Sequence, residues 1–117
     1  YLSTLFLVDM EEENVQLYSL LAELNISAST ASHPAAFTVE EQAEHVGSIP
    51  GTLTKNLFLK DKKHGMFLLT TMATRDVNMK EFASLMGLSG ANLRFGDEEL
   101  LKEKLAVIKG AVSPFAL

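Results

Sequence analysis

Two apolar runs of matched length, divided by a short polar stretch, constrain this chain more than any other feature. Leu53 to Leu59 and Met66 to Met72 flank Asp61-Lys62-Lys63-His64-Gly65. Runs of this kind read as a β-hairpin, here with a connecting loop of about five or six residues. Alternation then places Lys55, Leu57 and Leu59 on one face of the first strand, and Asn56 and Phe58 on the other. A lysine that shares a face with two leucines has two readings. It lines a cavity, or it runs its stem along the edge of a core and lifts its charge into water. The pattern leaves both open.

Helix punctuation surrounds the hairpin. Asp9 with Glu12 has capping-box spacing and precedes Val15, Tyr18 and Leu21 at helical intervals. Thr38 with Glu41 repeats the signature for a short helix ending near Gly47. Asn78 with Glu81 predicts a helix carrying Met79, Phe82 and Met86 on one side and closed by Gly87. A fourth helix is expected from Asp97, with Leu100, Leu101 and Leu105 as its stripe. Ile26 to Ser32 and Ala91 to Phe95 are weaker strand candidates. Strands and helices follow no regular βαβ rhythm, which predicts a mixed α/β class: a mixed sheet with peripheral helices.

At 117 residues the chain fits one domain, and folding at that size buries about 65% of the unfolded surface. With 47% hydrophobic and 21% charged residues, there is enough apolar surface to offset the entropy of ordering. The opening at Tyr1 and the apolar end Phe115-Ala116-Leu117 after Pro114 lead us to expect residues 1–117 to be one domain within a longer protein, incomplete at its C-terminal side.

Several function classes fall away. The absence of cysteine excludes disulfides, thiolate zinc sites and a cysteine nucleophile; it fits a cytoplasmic location, which is the expectation. Leu5 to Val8 is as long as any unbroken apolar run, far short of a membrane span, and no secretory signal pattern is visible. A net charge of −5 argues against wrapping a long stretch of DNA or RNA. The local cluster Lys55, Lys60, Lys62, Lys63 and His64 still allows a small contact with one nucleic-acid end.

Generic catalytic signatures are poor. His33, His45 and His64 form no HExxH pair, and there is no GxSxG elbow, P-loop or GxGxxG fingerprint. Glu11-Glu12-Glu13 and Asp97-Glu98-Glu99 fall in first helical turns, where carboxylates complement the helix dipole rather than hold a metal. The small residues of Gly110-Ala111-Val112-Ser113-Pro114 leave backbone N–H groups open to a ligand. Donors of that kind suit a carbonyl or a developing oxyanion, although the spacing is common by chance.

Four blocks, in order, change the odds. His33-Pro34-Ala35-Ala36-Phe37-Thr38-Val39-Glu40-Glu41, then Ile49-Pro50-Gly51 leading into Thr54 to Lys63, then Asn92-Leu93-Arg94-Phe95, then Gly110 to Pro114 together resemble the YbaK/prolyl-tRNA-synthetase-associated editing domain family. The resemblance implies a barrel-like sheet with helices outside, and hydrolysis of the ester in mischarged aminoacyl-tRNA without metal or cofactor. It makes Lys55 and Asn56 the catalytic pair: Lys55 orients the acceptor 3′ end or the scissile carbonyl, and Asn56 helps fix the substrate. Gly110, Ala111, Val112, Ser113 and Pro114 become substrate-binding residues that supply donors and shape a pocket for a small side chain, with the terminal ribose hydroxyl assisting hydrolysis. Arg94 is either a tRNA-facing residue or a surface salt-bridge partner, and His33 sits in a turn before Pro34.

Lys-Asn followed by Leu-Phe-Leu looks more like the alanyl-tRNA(Pro) deacylases than the cysteinyl-tRNA(Pro) branch. The implied partners are the tRNA(Pro) acceptor end and prolyl-tRNA synthetase, fused or in complex, with no membrane and no DNA. The alternative is a catalytically silent tRNA-binding or docking module. Two departures would weaken catalysis or alter the substrate: relatives continue past the glycine loop with further strands and a helix, and Leu53 stands where they often carry a polar residue or histidine. The first of these and the net charge of −5 favour the alternative, while Lys55, Asn56 and the glycine loop favour the enzyme.

Overall fold

The computed structural model describes residues 11–34, 36, 38–89 and 92–116. Helix α1 (Glu11–Glu23) and helix α2 (Val39–Val46) precede a hairpin of β1 (Thr54–Asp61) and β2 (Gly65–Met72). Helix α3 (Met79–Leu85), a two-residue strand β3 (Arg94–Phe95), helix α4 (Glu98–Leu105) and a single 3-10 turn (Pro114–Ala116) follow. The sheet order is β2-β1-β3, both pairings are antiparallel, and the sheet stays open among the described residues. This is the mixed α/β class expected, with a sheet whose pairings are both antiparallel among the described residues.

The hairpin register pairs Asn56 with Thr70, Leu57 with Leu69, Phe58 with Leu68 and Leu59 with Phe67. Because partners in an antiparallel ladder share a face, each strand feeds two cores. Leu57, Leu59, Phe67 and Leu69 meet α3 and Leu93, with Leu59 and Ala83 fully buried at 0% exposure. Phe58 and Leu68 meet Leu100, Leu101 and Leu105 of α4, together with Val107 and Val112.

The loop is shorter than expected, running only from Lys62 to His64. Asp61 is the reason. Its Oδ1 accepts from the N–H groups of Lys63 (2.9 Å) and His64 (3.0 Å) and from His64 Nδ1–H (2.7 Å). A buried carboxylate thus closes the turn by itself, and the ladder runs on to Asp61. The Lys63 N–H first, and then the His64 ring, hold the Asp61 carboxyl below the ordinary carboxylate range despite its burial.

Three expected caps form. Thr38 accepts from the Glu41 N–H, Asn78 from Lys80 and Glu81, and Asp97 from Leu100, each satisfying donors that a helix start leaves orphaned. The Asp9 cap lies outside the described residues. Other expectations fail: Ile26 to Ser32 forms no strand, having serine and alanine where a strand needs β-branched or aromatic residues. Val15, Tyr18 and Met86 stay exposed, and of the α1 stripe only Leu21 is buried.

Candidate active site

Strand β3 pairs only with Leu59 and Lys60, and Gly96 N–H extends the ladder by one bond to Phe58 O. The edge of β1 before Phe58 therefore has no strand beside it among the described residues. A cleft of about 1160 Å³ occupies that edge. Thr54 to Phe58 form its base, Val39, Gln42 and Val46 of α2 one wall, and Lys109, Gly110 and Val112 to Phe115 with the start of α4 another. Gly96 lets β3 approach so closely because a Cβ there would stand 2.5 Å from Phe58 Cδ1, inside any van der Waals contact.

Lys55 is half-buried and lines the cleft, which is the cavity reading of its position. Among the described residues no carboxylate lies within ion-pair reach of it. Lys60, five residues further along β1, is instead paired with Asp97. That ammonium first, and the Leu100 N–H second, lower the Asp97 carboxyl.

Asn56 bridges strand and loop. Its Nδ2 donates to Val112 O at 3.0 Å, and its Oδ1 accepts from Thr70 Oγ at 2.7 Å. In the loop, Ala111 N–H bonds Ile108 O, Phe115 N–H bonds Ser113 Oγ, and Pro114 has no N–H. The N–H groups of Gly110, Val112 and Ser113, all cleft-lining residues, are left without a partner among the described residues. Gly110 holds φ +93°, a conformation open to glycine and strained for other residues.

A cation on one side of a cleft and free backbone donors on the other is an arrangement that grips a carbonyl and stabilises negative charge developing on its oxygen. No histidine lines the cleft. His33 instead donates Nδ1–H to Pro34 O and stacks on His45 with ring centroids 5.5 Å apart. Among the described residues no three His, Cys, Asp or Glu side chains gather as a metal site requires.

Residues 33–117 match the aminoacyl-tRNA editing domain family. The chain belongs to that family. It is 45% identical over 103 residues to prolyl-tRNA synthetase associated domain-containing protein 1 of Xenopus laevis, covering 87% of this chain and 61% of that protein. Over 111 residues it is 29% identical to the prolyl-tRNA editing protein ProX of Acetoanaerobium sticklandii, covering 94% of this chain and 66% of ProX. The crystal structure of hypothetical protein APE2540 superposes with a TM-score of 0.70 at 18% identity, over 87% of this chain and 67% of that one; it supports the fold. The chain spans about three-fifths of the length of the animal relatives it matches.

For this editing-domain chain, the structure brings Lys55, Asn56, Gly110, Val112, Ser113 and Pro114 to one cleft. Ala111 and Arg94 are not among the lining residues. Arg94 is exposed on β3, with Nη1 donating to its own Leu93 carbonyl, and it forms no ion pair among the described residues. Sequence reasoning missed Thr70, Lys109 and Phe95, the last 60% exposed at the cleft rim. Thr70 was within reach: a shorter hairpin loop places it directly opposite Asn56.

Proposed function

We propose that this cleft hydrolyses the ester of mischarged tRNA(Pro), with alanyl-tRNA(Pro) as substrate, in the cytoplasm. The observation that carries the reading is the placement of Lys55, on the β1 edge, across one cleft from the 110–114 loop, with Asn56 tying the two together. The acceptor end enters with Lys55 orienting its 3′ terminus or the scissile carbonyl. Water adds to the carbonyl carbon, and the free loop N–H groups meet the oxygen as it becomes negative. The bond to the ribose 3′ oxygen then breaks, and that oxygen takes the proton lost by the water. The adjacent ribose hydroxyl assists the transfer. An ester is already activated, so positioning and electrostatics suffice without a protein nucleophile.

Alanine fits the chemistry of error. A pocket built for proline rejects a smaller side chain only weakly, so a second site must clear the mistake. The names of the relatives, prolyl-tRNA editing protein and prolyl-tRNA synthetase associated domain-containing protein 1, favour tRNA(Pro) as the RNA. They also favour the synthetase as a partner, fused or in complex, with residues 1–117 acting as one editing domain of a longer protein.

The net charge of −5 favours the second reading, a silent tRNA-binding or docking module. The test is deacylation of alanyl-, cysteinyl- and prolyl-tRNA(Pro) by the full-length protein. Selective release of alanine supports the enzyme; tRNA affinity with a shallow salt slope and no turnover supports the module.

A further inference from the structure

We propose that Thr70 is a positioning residue of this site: it locks the Asn56 amide so that the amide holds the 110–114 loop in its donor-presenting shape. The inference rests on the deacylase reading above for its kinetic consequence, but not for its structural one.

The two hydrogen bonds at Asn56 run in series. Thr70 Oγ–H donates to Oδ1 at 2.7 Å, and Nδ2 donates to Val112 O at 3.0 Å. Turning the amide over would aim Oδ1 at a carbonyl, which only accepts, so the Val112 end fixes the orientation. Thr70 reinforces it from the other end, because its hydroxyl spends its proton on Oδ1.

What this clasp holds is small but central. Val112 O is the only atom of the 110–114 loop bonded to β1 by a side chain among the described residues. The Val112 N–H and the Ser113 N–H, both without partners among the described residues, flank that carbonyl: one belongs to the same residue, the other to the same peptide unit. Fixing the carbonyl therefore fixes the plane that carries the Ser113 donor. Neither Thr70 nor Asn56 need touch the reacting atoms for this to matter. Donors aimed at a developing oxyanion lose much of their effect when displaced by an ångström.

Thr70 is exposed on β2, so Thr70→Val keeps the shape, deletes the donor and favours the strand. Thr70→Ser keeps the donor. In the full-length protein, Thr70→Val should lower kcat for alanyl-tRNA(Pro) by roughly tenfold or more with little change in KM, and Thr70→Ser should restore it. Hydrogen exchange gives a readout independent of activity: the Asn56 side-chain N–H that donates to Val112 O should exchange faster in Thr70→Val than in wild type or Thr70→Ser, at an unchanged melting temperature. Unaltered exchange and kcat in Thr70→Val would overturn the proposal, as would a serine variant as impaired as the valine one. Should the wild type release no amino acid, the deacylase reading falls, while the exchange comparison still decides the clasp.

Discussion

The two faces of the hairpin are made by the same strands and do opposite things. On the α3 face, Leu57 and Leu59 meet Phe67, Leu69, Ala83 and Leu93 in a closed apolar layer. On the α4 face, Phe58 anchors a smaller layer with Leu101 and Leu105, and immediately before it Asn56 turns from packing to bridging a loop. Lys55 shares the parity of Leu57 and Leu59 but stands beyond the end of their layer, on the edge of β1 that no strand pairs among the described residues. A single strand thus changes from core to site over two or three residues, because its neighbour β3 is only two residues long. Stability and chemistry are separable here, and substitutions should separate them.

The largest stability effect belongs to the closed face. Leu59→Ala removes a side chain with no exposure and should destabilise the fold by about 2–5 kcal/mol, read by denaturant midpoint. If the domain loses less than 1 kcal/mol, the two faces do not divide the work as described.

Gly96→Ala attacks the boundary between faces. Its Cβ would fall 2.5 Å from Phe58 Cδ1, so the ring or β3 must move, at roughly 1–3 kcal/mol. A melting temperature equal to wild type would mean that β3 is not held where it stands.

On the solvent side, Thr38→Ala deletes the α2 cap, whose hydroxyl accepts from Glu41 N–H at 3.1 Å, for about 1 kcal/mol. Since α2 walls the cleft, substrate KM is expected to shift along with the melting temperature. A fall in stability with KM unchanged would detach α2 from the site.

The smallest effect should fade in acid. Asp61 has a folded-state pKa below its unfolded one, so its contribution is present above the unfolded value and is lost as pH falls through the folded one. Denaturation midpoints of wild type should therefore drop more steeply than those of Asp61→Asn on the acid side of the ordinary carboxylate range. Parallel pH profiles would remove Asp61 as the turn's anchor.

Much of this was legible in the sequence, and the gaps have physical causes. Alternation gave the faces of β1, and the identities of Thr38, Asn78 and Asp97 gave three helix starts, since capping is local chemistry. The hairpin loop was misjudged because polar Asp61 reads as loop, whereas its carboxylate is spent inside the turn it closes. Arg94 was drawn to the site by its motif, but β3 holds it beside Lys60, outside the cleft lining. The Asn56 bridge joins positions 56 residues apart, and no local pattern announces a contact of that range. The resemblance placed Lys55 and the glycine loop in one site; only the fold showed what ties them.

Whether the β1 edge and the 110–114 loop form a hydrolytic site is tested most directly by single-turnover release of alanine from alanyl-tRNA(Pro). The full-length protein would be compared with its Lys55→Ala form, with both melting temperatures recorded. Loss of roughly 100-fold or more in rate, at a melting temperature within a degree or two of wild type, is the expected result. Equal rates in the two proteins would contradict it and take the chemistry away from this cleft.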